Sequence, residues 1–208
     1  MLHQKNNATK YDRYPEIFSF VSKIKGGNHN FENRGLQPKV LSFGCSFGDE
    51  ISTLKDLYFK SAVIDGVDIN HDCVSHCRNK FGFDNKIYSY EDFLNSERKY
   101  DVIFAMSVFC KWEDTEFIDD CTSVYPFKMF DDGVKLLYDR LKEGGLLVVY
   151  NSNFRMCDSS IYSLFETVSN DTIKESGFVH KFYKDNKKIK NDIEKNYLDV
   201  IFRKKVIG

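Results

Sequence analysis

Among 208 residues there are only three prolines and one tryptophan, and 30 Lys and Arg stand against 31 Asp and Glu for a formal net charge of −1. That balance leaves no global field to draw in nucleic acid or an anionic membrane. No apolar run approaches the ~20 residues that cross a bilayer, so no membrane partner is expected. The opening MLHQKNNATK lacks the apolar core of a signal peptide. The six cysteines, Cys45, Cys73, Cys77, Cys110, Cys121 and Cys157, lack the density of a stapled secreted domain. They read as reduced thiols in a cytoplasmic protein.

What is present is ordinary for a globular chain: 42% hydrophobic and 29% charged residues. A chain of this length buries roughly 70% of the surface its unfolded form exposes, enough for one core. Apolar runs alternate with amphipathic stretches. YDRYPEIFSFVSKIK places Ile17, Phe18, Val21 and Ile24 at helical spacing, with Pro15 in the first turn. A polar connector follows, and then KVLSF, AVIDGVDI, KIYSYEDF (a short strand and its exit), YDVIFAMSV and LLVVYNS read as strands. The segments between them, DEISTLKDLYF, HDCVSHCRNKF and FKMFDDGVKLLYDRLKEGG, read as helices, the last closed by its glycine pair. In the tail, FVHKFYKDN and NYLDVIFRK read as two further strands joined by the polar loop KDNKKIKND. Strand and helix alternating in this way imply right-handed crossovers and a doubly wound parallel sheet.

In such a sheet, ligands sit beyond the carboxyl ends of the strands, where strand order reverses. FGCSFGDE lies at that point. Gly44 lets the chain turn and Gly48 allows close approach as a helix begins. The spacing is G-x-x-x-G rather than the G-x-G-x-x-G of a dinucleotide fingerprint. Two acids, Asp49 and Glu50, open the helix and would repel a pyrophosphate, which disfavours a nicotinamide oxidoreductase. Twenty residues past Gly48, Asp68 ends the second strand, where a carboxylate accepts the hydroxyls of a ribose. The alternative role for Asp68 is the cap of the helix near His71, and one carboxylate can do both. Loop and acid together point to an adenosine-type ligand without pyrophosphate.

From about Lys39 to its end the chain resembles the class I S-adenosylmethionine-dependent methyltransferases. Their first motif commonly reads V-L-D-I-G-C-G-x-G, against VLSFGCSFG here, with Ser42 and Ser46 replacing the acid and the middle glycine. GCSFGDE is closer to a G-C-S-x-G-E-E subset that includes chemotaxis-receptor methyltransferases. LKEGGLLVVYN is similar to the family's L-K-P-G-G-x-L segment. The resemblance implies a Rossmann-like, mostly parallel seven-stranded sheet with helices on both faces and the last strand antiparallel. It implies S-adenosylmethionine as cofactor, held by Gly44, Cys45, Ser46, Gly48, Asp49, Asp68, Ile69, Ser89, Tyr90, Glu91, Met106 and Ser107. By that likeness, Asp49 takes the ligand's ammonium group in place of the acid missing at Ser42.

Residues 1–38 are then a helix and connector covering the site, and 39–208 the methyltransferase domain. Lys111, Trp112, Asn153 and Arg155 are the candidates for the acceptor side. Asn151 and Asn153 can donate and accept hydrogen bonds, and Arg155 can clamp a carboxylate. No signature marks a general base, so no catalytic residue is assigned.

None of the three prolines is followed by Pro or Cys, so the Asn/Asp-Pro-Pro-aromatic and Pro-Cys routes to methylated DNA bases are excluded. The expected acceptor is a small molecule, and the alternative is a non-catalytic S-adenosylmethionine- or S-adenosylhomocysteine-binding regulator or subunit. HDCVSHC gathers His71, Cys73, His76 and Cys77, but small thiols at helical spacing are usually core, and no metal is expected. The basic KDNKKIKND run carries its own acids and reads as a solvated loop rather than an RNA patch.

Overall fold

The computed structural model describes residues 7–25, 37–82, 85–168, 173, 178–191 and 199–206. Apolar stripes and runs become elements in the expected order. Helix α1 (Pro15–Ile24) starts at its proline and buries Ile17, Phe18 and Val21. It is followed by β1 (Lys39–Phe43), α2 (Asp49–Thr53, prolonged by a π-helical turn over Leu54–Tyr58), β2 (Val63–Asp68) and α3 (His71–Phe81). Then come β3 (Ile87–Ser89), α4 (Tyr90–Leu94), β4 (Tyr100–Met106), α5 (Trp112–Thr115) and α6 (Phe127–Arg140). The chain closes with β5 (Leu141–Tyr150), β6 (Phe165–Thr167) and β7 (Ile201–Lys204).

The seven strands form one sheet in the order β3-β2-β1-β4-β5-β7-β6. β1 runs parallel to β2 and β4, and β2 parallel to β3. β7 runs antiparallel to both β5 and β6. This is the expected doubly wound, mostly parallel sheet with an antiparallel last strand. Order reverses at β1, whose carboxyl end carries the glycine loop, so topology puts that loop where open α/β sheets bind ligands.

Two compact units divide the chain, Asn6–Phe104 and Ala105–Gly208. In the first, Phe18 packs edge-on to Phe104 at 5.2 Å, with Phe59, Leu41 and Ile64 buried. In the second, Phe154 gathers the rings of Tyr125, Phe127, Phe130 and Phe182 at 5.3–6.3 Å. Such aromatic pairs each contribute about 0.5–1.5 kcal/mol beyond the area they bury.

Two expectations are corrected. The glycine pair does not close α6. The helix ends at Arg140, four residues before Gly144, and the chain passes directly into β5. A lysine from another strand satisfies that terminus: Lys204 Nζ donates to Tyr138 O at 3.3 Å and Leu141 O at 3.2 Å and lies over the Tyr138 ring. Basic groups at a helix C-terminus do this work in place of a glycine cap.

The tail also differs. FVHKFYKDN forms no ladder strand, and Phe182 makes only isolated bridges to Phe154 and Lys188. Its place is taken by the three-residue β6, a segment too short for alternation to be read. Residues 192–198 of the second proposed strand and its loop lie outside the described residues, as do 26–36 of the N-terminal connector. Within KDNKKIKND, Lys187 pairs with Asp120 at 2.7 Å and Lys190 with Asp119 at 3.2 Å.

Candidate functional site

The loop after β1 is built by positive backbone angles. Gly44 has φ 82°, Ser46 φ 49° and Gly48 φ 86°. Glycine adopts this region freely, whereas a residue with a Cβ is disfavoured there by roughly 1–2 kcal/mol. At Gly48 sterics add to the requirement, because a Cβ would come within 2.5 Å of Phe81 Cε2. Ser46 has no such licence and is held from outside. Its N–H donates to Asp68 Oδ2 at 2.7 Å, and its hydroxyl donates to Asn7 O at 2.7 Å. Gly44 and Cys45 both donate their N–H groups to Val67 O, at 2.8 and 2.9 Å. The loop is therefore strapped across the end of β2.

Asp68 is the hinge of this arrangement. It is buried, and its second oxygen accepts from Asn70 N at 2.8 Å. It is not the helix cap: Asn70 caps α3 by accepting from Asp72 N. Each Asp68 oxygen accepts from one backbone N–H, and a carboxylate has about four lone-pair sites. Ile69 is half-buried beside it. Ser89 caps α4 through Asp92 N, Tyr90 meets Phe43 edge-on at 6.4 Å, and Glu91 is exposed.

The two acids after Gly48 diverge. Asp49 faces Lys80, with Nζ 4.0 Å away. Glu50 turns back toward the sheet and accepts the Ser42 hydroxyl at 2.7 Å. Burial pushes the Glu50 carboxyl up to about 7, against the Ser42 hydrogen bond and the nearby Arg13 cation, which pull it down. Sequence reasoning passed over Glu50. Its partner Ser42 lies eight residues back on another element, so the contact has no local sequence pattern.

The N-terminal segment lies on this unit as well. Asp12 N donates to Thr53 Oγ1 at 2.8 Å, and Tyr58 donates its hydroxyl to Asp12 Oδ1 at 2.8 Å. Together with the Ser46–Asn7 bond, these contacts tie residues 7–12 to the loop and α2.

In the second unit, Met106 ends β4 and is buried. Ser107 follows at φ 57°, and Asn151, just past β5, sits at φ 55°. Asn151 Nδ2 donates to Ser107 Oγ at 3.0 Å, and Ser107 N donates to Tyr150 O at 2.8 Å. Two adjacent left-handed residues without glycine are thus locked to each other.

The acceptor-side candidates are more fully engaged. Asn153 is fully buried, accepts from Lys111 N at 2.7 Å and donates to His180 O at 2.8 Å and Thr115 Oγ1 at 3.2 Å. Arg155 grips Asp158 through Nε at 2.8 Å and Nη2 at 3.2 Å, and its guanidinium lies 5.3 Å from the Tyr183 ring centre. Lys111 and Trp112 are half-buried, and Trp112 meets the exposed Phe178 edge-on at 5.9 Å.

Cys73 and Cys77 are both buried on α3. Among the described residues, no three His, Cys, Asp or Glu side chains are grouped to hold a metal ion. No helix among them is long and apolar enough to cross a membrane.

No family model matches the sequence, and no curated protein sequence does. Solved structures do resemble it. One is an S-adenosylmethionine-dependent methyltransferase from Clostridium acetobutylicum, 20% identical over 74% of this chain and 58% of that one, with a TM-score of 0.44. A second is the S-adenosylmethionine-bound amino pentose methyltransferase of calicheamicin biosynthesis from Micromonospora echinaspora, 11% identical over 69% and 58%, TM-score 0.43. A third is DesVI of Streptomyces venezuelae, 15% identical over 74% and 57%, TM-score 0.44. The chain thus spans less than two thirds of the length of each of these proteins.

Proposed function

We propose that this protein is an S-adenosylmethionine-dependent methyltransferase acting on a small-molecule acceptor. The observation that carries the reading is the pairing of two acids at the carboxyl end of β1 and β2: Asp68, tied to Ser46 N, and Glu50, tied to Ser42. An adenosyl amino-acid ligand presents vicinal hydroxyls and an ammonium group, and these are the partners such acids lack. The residues fit that group. Asp68 would take the ribose hydroxyls with its remaining lone pairs, and Glu50, rather than Asp49, would take the ammonium. The loop from Gly44 to Gly48 would lie against the ligand, with Ile69, Ser89 and Tyr90 toward its adenine. Glu91 and Asp49, both turned toward solvent or Lys80, are the weaker members of the set. Residues 7–12 would cover the bound ligand.

When bound, the cofactor supplies a methyl group already activated by its sulfonium. The chain's task is then to hold an acceptor in line and about 3 Å from that carbon, which alone can supply most of the acceleration. Lys111 and Trp112 are the side chains best available for acceptor contact. Asn153 and Arg155 act one step back, by fixing the loops that carry Lys111 and Tyr183.

The engagement of Asn153 and Arg155 also favours a second reading, a non-catalytic adenosyl-binding regulator or subunit. Incubation with methyl-labelled S-adenosylmethionine and a panel of small-molecule amines, alcohols, thiols and carboxylates separates the two. Turnover on any acceptor supports the enzyme. Tight S-adenosylhomocysteine binding with no turnover across the panel supports the regulator.

A further inference from the structure

Among the described residues of the first unit, two residues other than glycine have left-handed backbone, Asp12 at φ 50° and Ser46 at φ 49°. A residue with a Cβ persists in that region where its surroundings over-determine it, and such outliers cluster at functional sites. Both fasten the same segment. At one end, Ser46 Oγ donates to Asn7 O at 2.7 Å. At the other, Asp12 N donates to Thr53 Oγ1 at 2.8 Å, and Asp12 Oδ1 accepts the Tyr58 hydroxyl at 2.8 Å. Tyr58 ends the π-helical turn that prolongs α2, and its ring lies 5.7 Å from that of Phe18 on α1. Partial burial and the Asp12 carboxylate push the Tyr58 hydroxyl up to about 12, so it stays a donor at neutral pH. Between the two fastenings there is no core. Residues 7–12 are half-buried or exposed throughout, whereas α1 buries Ile17, Phe18 and Val21. Lifting 7–12 breaks a few hydrogen bonds and exposes little apolar surface while α1 stays in place, which is the profile of a segment that opens locally.

From these contacts we propose that residues 7–12 are a strap, latched by Tyr58 on Asp12 and by Ser46 on Asn7, whose release gates exchange of the adenosyl ligand. Ser46 joins the strap to the acid assigned to the ribose, because its N–H is spent on Asp68 Oδ2 at 2.7 Å while its hydroxyl holds Asn7. Closing the strap therefore fixes the glycine loop and the Asp68 carboxylate together. Tyr58 acts one step further out, as a positioning residue that holds the strap's other end. The ligand enters and leaves with the strap lifted. By linkage, a bound ligand favours the closed strap by the same factor by which the closed strap favours the ligand. The gating rests on the adenosyl reading; the latch itself does not.

The test treats the full chain with trypsin, since Lys10 and Arg13 are exposed within and beside the strap, and assigns the cuts by fragment mass. Cleavage there tracks the population of the lifted strap when reclosing is fast. In the wild-type protein, saturating S-adenosylhomocysteine should slow it at least fivefold. Tyr58→Phe keeps the ring and removes the hydroxyl, and Ser46→Ala removes the other latch. Each should be cut at least fivefold faster without ligand, and each should release S-adenosylhomocysteine at least fivefold faster in a stopped-flow chase. Ser22→Ala is the control, because Ser22 of α1 donates to Tyr58 O at 2.7 Å without touching the strap. Its cleavage and release rates should match wild type. Wild-type cleavage in both latch variants, faster cleavage with unchanged ligand release, no protection by ligand, or equal acceleration by Ser22→Ala would each overturn the proposal. Failure of the wild-type protein to bind S-adenosylhomocysteine defeats the adenosyl reading, and the ligand-free cleavage rates then still decide the latch.

Discussion

Glu50 and Asp131 are two acids withdrawn from water in different halves of the chain, and their carboxyls are displaced in opposite directions. Asp131, on α6, accepts from Lys135 Nζ at 2.7 Å, the Ser159 hydroxyl at 2.8 Å and Ser160 N at 2.9 Å. Burial acts to raise it, but these donors outweigh burial and hold it down at about 2. Glu50 has the Ser42 hydroxyl and a more distant Arg13, and burial wins, at about 7. A carboxylate satisfied within the fold is a structural element. One left short of positive charge, beside a loop at the sheet's switch point, has capacity for a ligand. The same contrast separates Asp68, with lone pairs to spare, from Asn153, whose amide has a partner at both its oxygen and its nitrogen.

The largest test of that contrast is steric. Gly44→Val forces a branched side chain onto a backbone at φ 82° and into the space proposed for the ligand. Binding of S-adenosylhomocysteine should fall at least about a hundredfold, or ~3 kcal/mol, while far-UV dichroism stays near wild type because the loop lies at the sheet's rim. Unchanged affinity would reduce this stretch to a turn. On the other side, Asn153→Ala should cost about 3 kcal/mol of folding stability, since it strands the Lys111 N–H and the His180 carbonyl. Adenosyl binding should be preserved. A stable variant with only turnover lost would instead make Asn153 an acceptor contact.

Asp68→Ala is intermediate in size. It should weaken adenosyl binding by about 1.5–3 kcal/mol, the scale of hydrogen bonds to a charged group. A folded variant that binds as wild type does would leave Asp68 as a brace between Ser46 and Asn70.

The two acids also separate by pH. Asp131 is depressed from 3.8 to about 2, so its contribution to stability is present above pH 3.8 and is lost as pH falls through about 2. Glu50 is raised from 4.5 to about 7, so its contribution is complete below pH 4.5 and is lost as pH rises through about 7. Chemical denaturation followed across pH should show the acid limb flattened by Asp131→Asn and the loss toward neutral pH removed by Glu50→Gln. The smallest effect is Cys73→Ala, expected to cost about 1 kcal/mol of stability and no ligand affinity.

Much of this was legible in sequence, for physical reasons that also mark where legibility stops. β1, β2 and β4 are apolar runs covered on both faces, and α1 and α6 are stripes at helical spacing, so composition and period identify them. Asp68 was readable because its distance from Gly48 is set by one helix and one strand. Glu50 was not, because its partner Ser42 lies on another element and the contact depends on how α2 sits against β1. The engagement of Asn153 joins residues 27 to 42 positions apart, which no local pattern encodes. β6 is three residues long and carries too little alternation to register, and the end of α6 is closed by Lys204, more than sixty residues downstream.

The central claim is that the site at the end of β1 takes an adenosyl amino acid through Asp68 and Glu50. Titration calorimetry of the wild-type protein with S-adenosylhomocysteine and with NAD, at about pH 6 and about pH 8, tests it most directly. Ionised Glu50 is the form that receives an ammonium, so S-adenosylhomocysteine should bind at both values and several-fold more tightly at the higher one, with no heat from NAD. Tight NAD binding, or no binding of S-adenosylhomocysteine at either pH, would contradict it.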